Sequence, residues 1–221
     1  MRDEKYNYFD NLIKIQSLKV EQVRHFEYSK KAIIPYKVHS LVESLNCRMI
    51  DFCESIDLLV KTNHIIPAVS LIRSTYEVTA IIYRISSNVE KSVLDNKLTD
   101  NFDDLIMKLN FGTRYSNNYS AINIMTNIEK TDKAHFEFSR FYNELCEFVH
   151  PNWDGVLGSY SELNEIERNT LIFKTVTTQN QVYEWIEASF IICMDIYLME
   201  ANKLKSNIKE FAKICESELK T

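Results

Sequence analysis

Apolar residues recur at three- and four-residue steps over most of the chain, the spacing that one face of an α-helix requires. The first such stretch runs from about Asp3 to Ile34, where Pro35 interrupts it. The second runs from Tyr36 to Lys61, and the polar cluster Thr62-Asn63-His64 ends it. The pattern therefore predicts two long amphipathic helices at the start of the chain.

A third stretch, from about Ile66 to Ser86, is apolar on nearly all sides. Such a helix is typically the central, buried member of a bundle, and Pro67 is tolerated in its first turn. The stretch is also rich in β-branched residues, so a pair of strands is the competing interpretation. Its length and its lack of a turn signal favour a helix.

The second half of the chain continues the helical pattern. A more polar helix is predicted over Val89–Leu109, followed by a loop over Phe111–Ser120 in which Gly112 can act as a helix C-cap. Further helices are predicted over Ala121–Glu129, over residues 133–150 with Thr131 or Asp132 as cap and Pro151 as terminator, and over Thr178–Leu219.

Between the last two helices the pattern changes. Two short β-like runs, Leu157–Tyr160 and Leu171–Val176, flank a charged segment, which is compatible with one small β-hairpin around residues 157–176. The expected fold is therefore all-α: a multi-helix bundle with long antiparallel helices and room for that hairpin. Residues 1–221 are expected to form a single helical domain.

Composition supports this fold class. The chain has 221 residues but only three glycines and three prolines, too few for the many tight turns of an all-β fold. The net charge is −5 and the isoelectric point about 5.6, so the whole chain lacks the basic footprint of a nucleic-acid-binding protein. The charged N-terminus argues against a signal peptide, and no apolar run approaches the ~18 residues of a membrane span. A cytoplasmic protein is expected.

The cysteines predict neither a disulfide framework nor a metal site. There are five of them, with no C-x-x-C pair, which is typical of reduced, buried thiols in a cytosolic protein. Because the spacing of zinc ligands is missing, no metal and no cofactor are expected. The five cysteines are Cys47, Cys53, Cys146, Cys193 and Cys215.

Arg73 and Glu77 form the first candidate constellation. They are four residues apart and so share one face of an otherwise apolar helix. A buried charge costs several kcal/mol unless it is paired. The pair could simply satisfy itself inside the bundle, or it could line a polar pocket there.

His150 opens the second constellation, in the stretch FVHPNWDGVLGSY. Pro151 moves His150 out of the α region, and the following Asn152–Gly155 segment has the chemistry of a turn. Trp153 is expected to anchor this loop onto the bundle. A Cys146–His150 nucleophile pair is disfavoured, because residues four apart on one helix have little freedom to reach attack geometry. The need to end a helix explains most of the residue types in this stretch, but it does not explain His150.

The segments LIRSTYEVTAIIYRI and YNELCEFVHPNWDGVLGSY together resemble an uncharacterised group of bacterial all-helical proteins. In that group an Arg-Ser-x-x-Glu helix precedes a Val-His-Pro-like turn. The group is distantly similar to HEPN domains, the nucleotide-binding helical bundles of prokaryotic defence and toxin–antitoxin systems. The resemblance covers roughly Ile65–Val176 and implies a HEPN-like core over about residues 36–200.

The resemblance would match His150 to the histidine of the HEPN ribonuclease motif, in which four to six residues separate an arginine from that histidine. This chain departs from the motif, because the positions at those separations hold Asn143, Glu144 and Leu145, and the nearest upstream arginine in that helix is Arg140.

Metal-independent RNA cleavage needs a base for the 2′-hydroxyl and a cation for the phosphorane. His150 and Arg73 could supply these, with Glu77 orienting Arg73. Nearby Glu144 and Glu147 would repel phosphate.

Three functions follow as hypotheses. The first is a HEPN-like binding or assembly protein of a bacterial defence, toxin–antitoxin or mobile-element context. The second is a ribonuclease using His150, Arg73 and Glu77, and the third is a small-molecule-binding bundle. The partners expected are a second copy, a nucleotide or RNA, and a cognate protein, but not a membrane. The predicted binding residues are Asn152, Trp153, Asp154 and Tyr76.

Overall fold

A computed structural model describes residues 8–24, 27–115, 118–173 and 180–219. Within them the chain forms eight α-helical segments, one π-helical turn and one two-stranded hairpin. In chain order these are α1 Tyr8–Leu18, α2 Ile34–Lys61, α3 Ile65–Leu94, α4 Phe102–Phe111, α5 Ile124–Asp132, α6 Phe138–Val149, the π turn Trp153–Leu157, α7 Gly158–Tyr160, β1 Ser161–Asn164, β2 Asn169–Ile172 and α8 Asn180–Glu218. The predicted all-α bundle with one small hairpin is confirmed.

Helix α3 lies at the centre of the bundle. It packs most extensively against α8 and α2, and also against α5 and α6. Its apolar side chains point in several directions and are buried on each, among them Ile72, Ile82 and Ile85. The helix chosen over the strand pair is therefore confirmed, and its all-round hydrophobicity reflects neighbours on several sides.

Helix α3 is also long and apolar enough to cross a membrane by length and composition. However, 56% of its most apolar 18-residue window is buried inside the protein, as expected of a core helix. No other helix within the described residues meets the same criteria.

One hydrophobic core joins α1 to the end of α8. Leu12 and Ile15 of α1 belong to it, as do Phe211 and Cys215 near the end of α8. Phe102 of α4 packs edge-on against Phe211, with 5.3 Å between the ring centroids. Each long helix buries one apolar stripe against its neighbours, as the sequence periodicity indicates.

The first predicted helix is too long. Helix α1 ends at Leu18, and the described residues beyond it are irregular until α2 begins at Ile34. Tertiary bonds hold this segment: the Val20 N–H donates to Glu43, and the Ser29 hydroxyl donates to Glu216. Pro35 does not end a helix but lies in the first turn of α2, where its missing N–H costs nothing. The earliest predicted positions, 3–7, lie outside the described residues.

The predicted break after Ser86 is wrong. Helix α3 continues to Leu94, and the break falls between α3 and α4. The Asn88 amide donates to the Arg84 carbonyl one turn earlier, so this polar residue is satisfied within the helix. The chain turns instead at Asn96 and Asn101, which have φ values of 47° and 59°. Asparagine tolerates this left-handed region better than most residues.

Helix α6 begins at Phe138 rather than at residue 133. The turn before it includes Glu137 at φ 65°. The predicted cap residue Asp132 still contributes, because its carboxylate accepts a hydrogen bond from the Ser139 N–H at 2.9 Å. As predicted, the helix ends before Pro151.

The hairpin lies slightly later than predicted. Residues 157–160 belong to the π turn and α7, and β1 begins at Ser161, paired with Ile172. Local side-chain bonds explain the shift: the Ser159 hydroxyl donates to the Asp154 carbonyl, and the Ser161 hydroxyl donates to the Leu157 carbonyl. These bonds favour a helical turn over an extended strand. Positions 174–176 of the second predicted run lie outside the described residues.

The cysteines are not uniformly buried. Cys53, Cys193 and Cys215 are buried, Cys146 is half-buried, and Cys47 is exposed. Cys47 lies on α2, away from the stripe that faces the core, so its apolar sequence neighbourhood was misleading.

Candidate functional site

The predicted pair Arg73–Glu77 forms on the side of α3 that faces α6. The guanidinium Nη2 of Arg73 lies 3.1 Å from Glu77 Oε1. About 30% of the Arg73 side chain and 27% of the Glu77 side chain are exposed. The pair is therefore satisfied and partly open to solvent, and its role in lining a polar pocket stays a prediction.

Helix α6 completes this cluster with Tyr142 and Cys146. Arg73 donates to the Tyr142 hydroxyl at 2.8 Å, and this hydroxyl donates to Glu77 at 3.0 Å. Arg73 Nε also donates to the Cys146 sulfur at 3.1 Å. Its guanidinium carbon lies 5.1 Å from the centre of the Tyr142 ring. We call Arg73, Glu77, Tyr142 and Cys146 the α3–α6 cluster.

The surroundings fix the protonation states of the cluster. Burial, and then the charge of Glu77, raise the pKa of Tyr142 to about 12. Burial lowers the pKa of Arg73, but the hydrogen bond to Cys146 and the charge of Glu77 outweigh this and raise it. At neutral pH, Tyr142 is thus a neutral hydroxyl and Arg73 a cation. The cluster provides a positioned cation beside the Glu77 carboxylate, which Arg73 and Tyr142 already engage.

His150 lies one helical turn beyond Cys146, at the end of α6. Its backbone is extended, with φ −76° and ψ 148°, and its N–H donates to the Cys146 carbonyl. The residue is exposed. Within the described residues, no hydrogen bond or ion pair joins its imidazole to Arg73 or Glu77. Four residues along a helix correspond to about 6 Å between Cys146 and His150.

The turn after His150 is held by Asn152. Its carbonyl oxygen accepts from the Gly155 N–H at 3.1 Å, and its amide donates to Glu147 at 2.5 Å. A Cβ on Gly155 would lie 2.1 Å from the His150 carbonyl oxygen, so only glycine fits there. The expected anchoring by Trp153 is wrong, because 69% of this side chain is exposed.

The anchoring aromatic contact comes from Trp185 of α8 instead. Its ring lies 6.0 Å from that of Phe141 and stacks 6.2 Å from that of Phe148, both on α6. Trp153, by contrast, leans towards Gly158 at the surface. The sequence distinguishes the two tryptophans in one respect: Trp185 falls on the periodic apolar stripe of a long helix.

The other predicted binding residues differ in accessibility. Asp154 is exposed, whereas Tyr76 is fully buried. The Tyr76 hydroxyl donates to the Ser189 carbonyl at 2.8 Å, and its ring packs 4.8 Å from Phe138. Tyr76 is a core residue in this structure, and its role in ligand binding stays a prediction.

The fold also assembles a local basic patch that the sequence could not reveal. Arg84 on α3 lies near Lys130 at the end of α5, beside Lys133. Burial, then the charges of Arg84 and Lys133, lower the pKa of Lys130. Arg84 is seven residues after Glu77, about 10 Å along the same side of α3. The patch thus extends the polar stripe of α3 towards α5.

Two glutamates near the cluster are already engaged. Glu144 accepts from Arg140 at 2.8 Å, and Glu147 accepts from Asn152. Their repulsion of phosphate is therefore weaker than their number implies. Within the described residues, no group of three or more metal-ligating side chains converges on one point.

Comparisons of the chain with protein-family models, with curated proteins and with solved structures each find no match.

Proposed function

We propose that this chain is a HEPN-like binding and assembly protein that acts as a homodimer in the bacterial cytoplasm, in a defence, toxin–antitoxin or mobile-element context. One observation carries the assembly part of this proposal. The π turn and the hairpin together present large apolar side chains to solvent. This hairpin surface comprises Trp153, Val156, Leu157, Leu163, Ile166, Leu171 and Ile172, which are 43–96% exposed.

Within the described residues, the hairpin has little support from the rest of the chain. Its closest contacts outside the two strands are with the π turn rather than with the long helices. Leu163 and Ile172 project from one face of the hairpin and Leu171 from the other, and all three are exposed. An isolated two-stranded hairpin is at best marginally stable in water. A partner that covers one face would supply the missing burial.

The hairpin surface offers a partner substantial apolar burial. Burying one fully exposed leucine or isoleucine side chain contributes about 1.5–3 kcal/mol. Leu163, Ile172 and Trp153 are 66–72% exposed, so covering these three provides roughly 3–6 kcal/mol before the costs of association. Exposed tryptophan is also a residue type enriched among binding hot spots.

A second copy is the partner that this geometry suits. Two copies can pack the Leu163–Ile172 faces of their hairpins against each other about a two-fold axis, with the strands of one copy antiparallel to those of the other. That arrangement places the two acidic turns, with Glu165 and Glu167, at opposite ends of the contact. The like charges would then stay apart.

Sedimentation velocity over a range of concentrations tests the proposal. The wild type should approach twice the 26.0 kDa chain mass. Leu163→Asp should shift it to the monomer, because a buried carboxylate at the contact is costly. Leu58→Asp is the matched control, since Leu58 is 63% exposed on α2 and should leave the dimer intact. A monomeric wild type at the highest concentration would refute the proposal.

A ribonuclease is the second candidate. One support is the exposed His150, which lies one turn beyond Cys146, and Cys146 in turn contacts Arg73. The other is the basic patch around Arg84 and Lys130. In this function His150 takes the 2′-hydroxyl proton and Arg73 stabilises the phosphorane. Arg73 would have to exchange part of its contact with Glu77 for the phosphate.

Expression in a bacterial host separates the two functions. A ribonuclease predicts growth arrest by the wild type, relief by His150→Ala, and RNA cleavage that persists in a metal chelator. His64→Ala is the matched control, because His64 is also exposed but lies before α3. If neither the wild type nor the variants affect growth or cleave RNA, the ribonuclease is excluded and the binding protein stands.

A further inference from the structure

A cleft opens between α2 and α8, on a different part of the bundle from the α3–α6 cluster. The chain that follows α1, around Leu18 and Val20, closes one end, and Tyr28 contributes to the wall. The cleft has a volume of about 140 Å³. This is close to the ~150 Å³ of a cavity that accepts benzene, so the cleft has room for a compact apolar body.

One wall of the cleft carries a chain of bonded polar groups. The buried Tyr197 hydroxyl donates to Asn46 at 2.6 Å, and Asn46 donates to Glu43 at 3.2 Å. Glu43 also accepts from the Val20 N–H at 2.9 Å. Burial raises the pKa of Glu43, but hydrogen bonds from His39, Val20 and Asn46 outweigh this and lower it. Glu43 is therefore an ionised group committed to its protein partners.

His39 completes this polar wall. Its Nε2 lies 3.6 Å from Glu43, and its Nδ1 lies 3.6 Å from Glu27, so the ring lies between two carboxylates. The Tyr28 ring packs edge-on against it, with 5.0 Å between the ring centroids. Nδ1 has no hydrogen-bond partner within the described residues, but it is itself buried and does not face the cleft.

The remaining charge along the cleft is positive. Lys19 and Lys205 line it, both are exposed, and neither forms an ion pair within the described residues. The other wall is apolar and includes Val42, Leu204 and Ile208. The cleft thus combines an apolar wall with two uncompensated ammonium groups.

We propose that this cleft is a binding site for an amphipathic organic anion. Its compact apolar body lies between α2 and α8, and its acidic group interacts with Lys19 and Lys205. The site is separate from the hairpin surface, so it stands or falls independently of the dimer.

Fluorescence titration with 8-anilino-1-naphthalenesulfonate tests the site. This probe has an apolar body, an N–H donor and a sulfonate, whereas N-phenyl-1-naphthylamine has the same body without the charge. A surface ion pair contributes about 0.2–1 kcal/mol, so Lys205→Gln should weaken the binding of the anionic probe about 2- to 5-fold. Binding of the neutral probe should not change. Lys209→Gln is the matched control, one turn further along α8 and outside the cleft.

Two further variants locate the probe. Val20→Trp, at a 40% exposed position in the cleft wall, should reduce the binding of both probes at least about 5-fold by filling the space. Leu163→Asp in the hairpin should leave the binding of both probes unchanged.

Octanoate and 2-naphthoate, added as competitors, distinguish an aliphatic from an aromatic ligand. Displacement of the anionic probe by either one supports the site.

Several results would overturn the inference. One is the absence of saturable binding of the anionic probe to the wild type. A second is equal weakening by Lys205→Gln and Lys209→Gln. A third is loss of probe binding on Leu163→Asp but not on Val20→Trp, which would place the probe on the hairpin. Failure of both carboxylates to displace the probe would also contradict it.

Discussion

Replacing Glu200 by glutamine should destabilise the protein at neutral pH and much less in acid. Only 1% of the Glu200 side chain is exposed, and its carboxylate lies 3.1 Å from both His135 and Lys203. Burial raises the pKa of Glu200, but its contacts with His135 and Lys203 outweigh this and lower it. Glu200 is thus an ionised group inside the bundle that depends on these two partners.

The magnitude follows from what the glutamine leaves behind. Breaking a fully buried ion pair costs about 3–5 kcal/mol. The cost here should be lower, because Lys203 keeps Glu90 at 3.3 Å and remains 29% exposed. We expect a loss of about 2 kcal/mol in the free energy of unfolding at pH 7. For a chain of this length, that corresponds to a Tm lower by roughly 4–8 °C.

The pH dependence has a defined sign. A carboxyl whose pKa is lower in the folded protein stabilises the fold above its unfolded pKa of about 4.3. That stabilisation is lost as the pH falls through the folded pKa. The difference between wild type and Glu200→Gln should therefore shrink between about pH 5 and pH 3.

Urea unfolding at pH 7 and at about pH 3.5 measures both effects. Glu187→Gln is the control, because Glu187 is exposed on the same helix and should change the unfolding free energy by less than about 0.5 kcal/mol. An unfolding free energy for Glu200→Gln equal to that of the wild type at pH 7 would refute the reasoning. So would a difference that stays constant with pH.

Two further predictions test the turn and the core. Gly155→Ala should cost about 1–3 kcal/mol in urea unfolding, because its Cβ would meet the backbone oxygen of His150 at 2.1 Å. Gly158→Ala should cost less, since its Cβ would meet the indole nitrogen and the carbonyl oxygen of Trp153 only at 3.0 and 3.1 Å; equal losses would contradict the described turn. With a thiol reagent at pH 8, exposed Cys47 should react at least about 100-fold faster than Cys193, whose pKa burial raises to about 12. Similar rates in the native protein would contradict the burial of Cys193.

Periodicity predicted the helices well because a helix that buries one stripe must repeat its apolar residues. It failed where the cause of a boundary is tertiary. The chain leaves the helical conformation after Leu18, although the apolar pattern continues, because Glu43 and Glu216 from other helices bind its backbone and side chains. The predicted break after Ser86 did not occur, and Asn88 at that point donates to the Arg84 carbonyl within the helix.

Only part of the candidate site could be predicted from the sequence, because the rest depends on tertiary packing. The i,i+4 spacing places Arg73 beside Glu77, and the structure contains that pair. Tyr142 lies four residues before Cys146, so the same rule marks a second pair on α6. Nothing in one sequence states that the two pairs face each other, since that depends on how α3 packs on α6. The basic patch of Arg84 with Lys130 depends on packing in the same way.

Hydrogen exchange of the hairpin amides tests the central claim most directly. If the hairpin surface joins two copies, amides in Asn169–Ile172 should exchange at least about 10-fold more slowly at a concentration where the protein is dimeric than at high dilution. Amides in the middle of α3 should not depend on concentration, which provides an internal control. Hairpin exchange that is fast at every concentration would contradict the account, even if the protein proved to be a dimer through another surface.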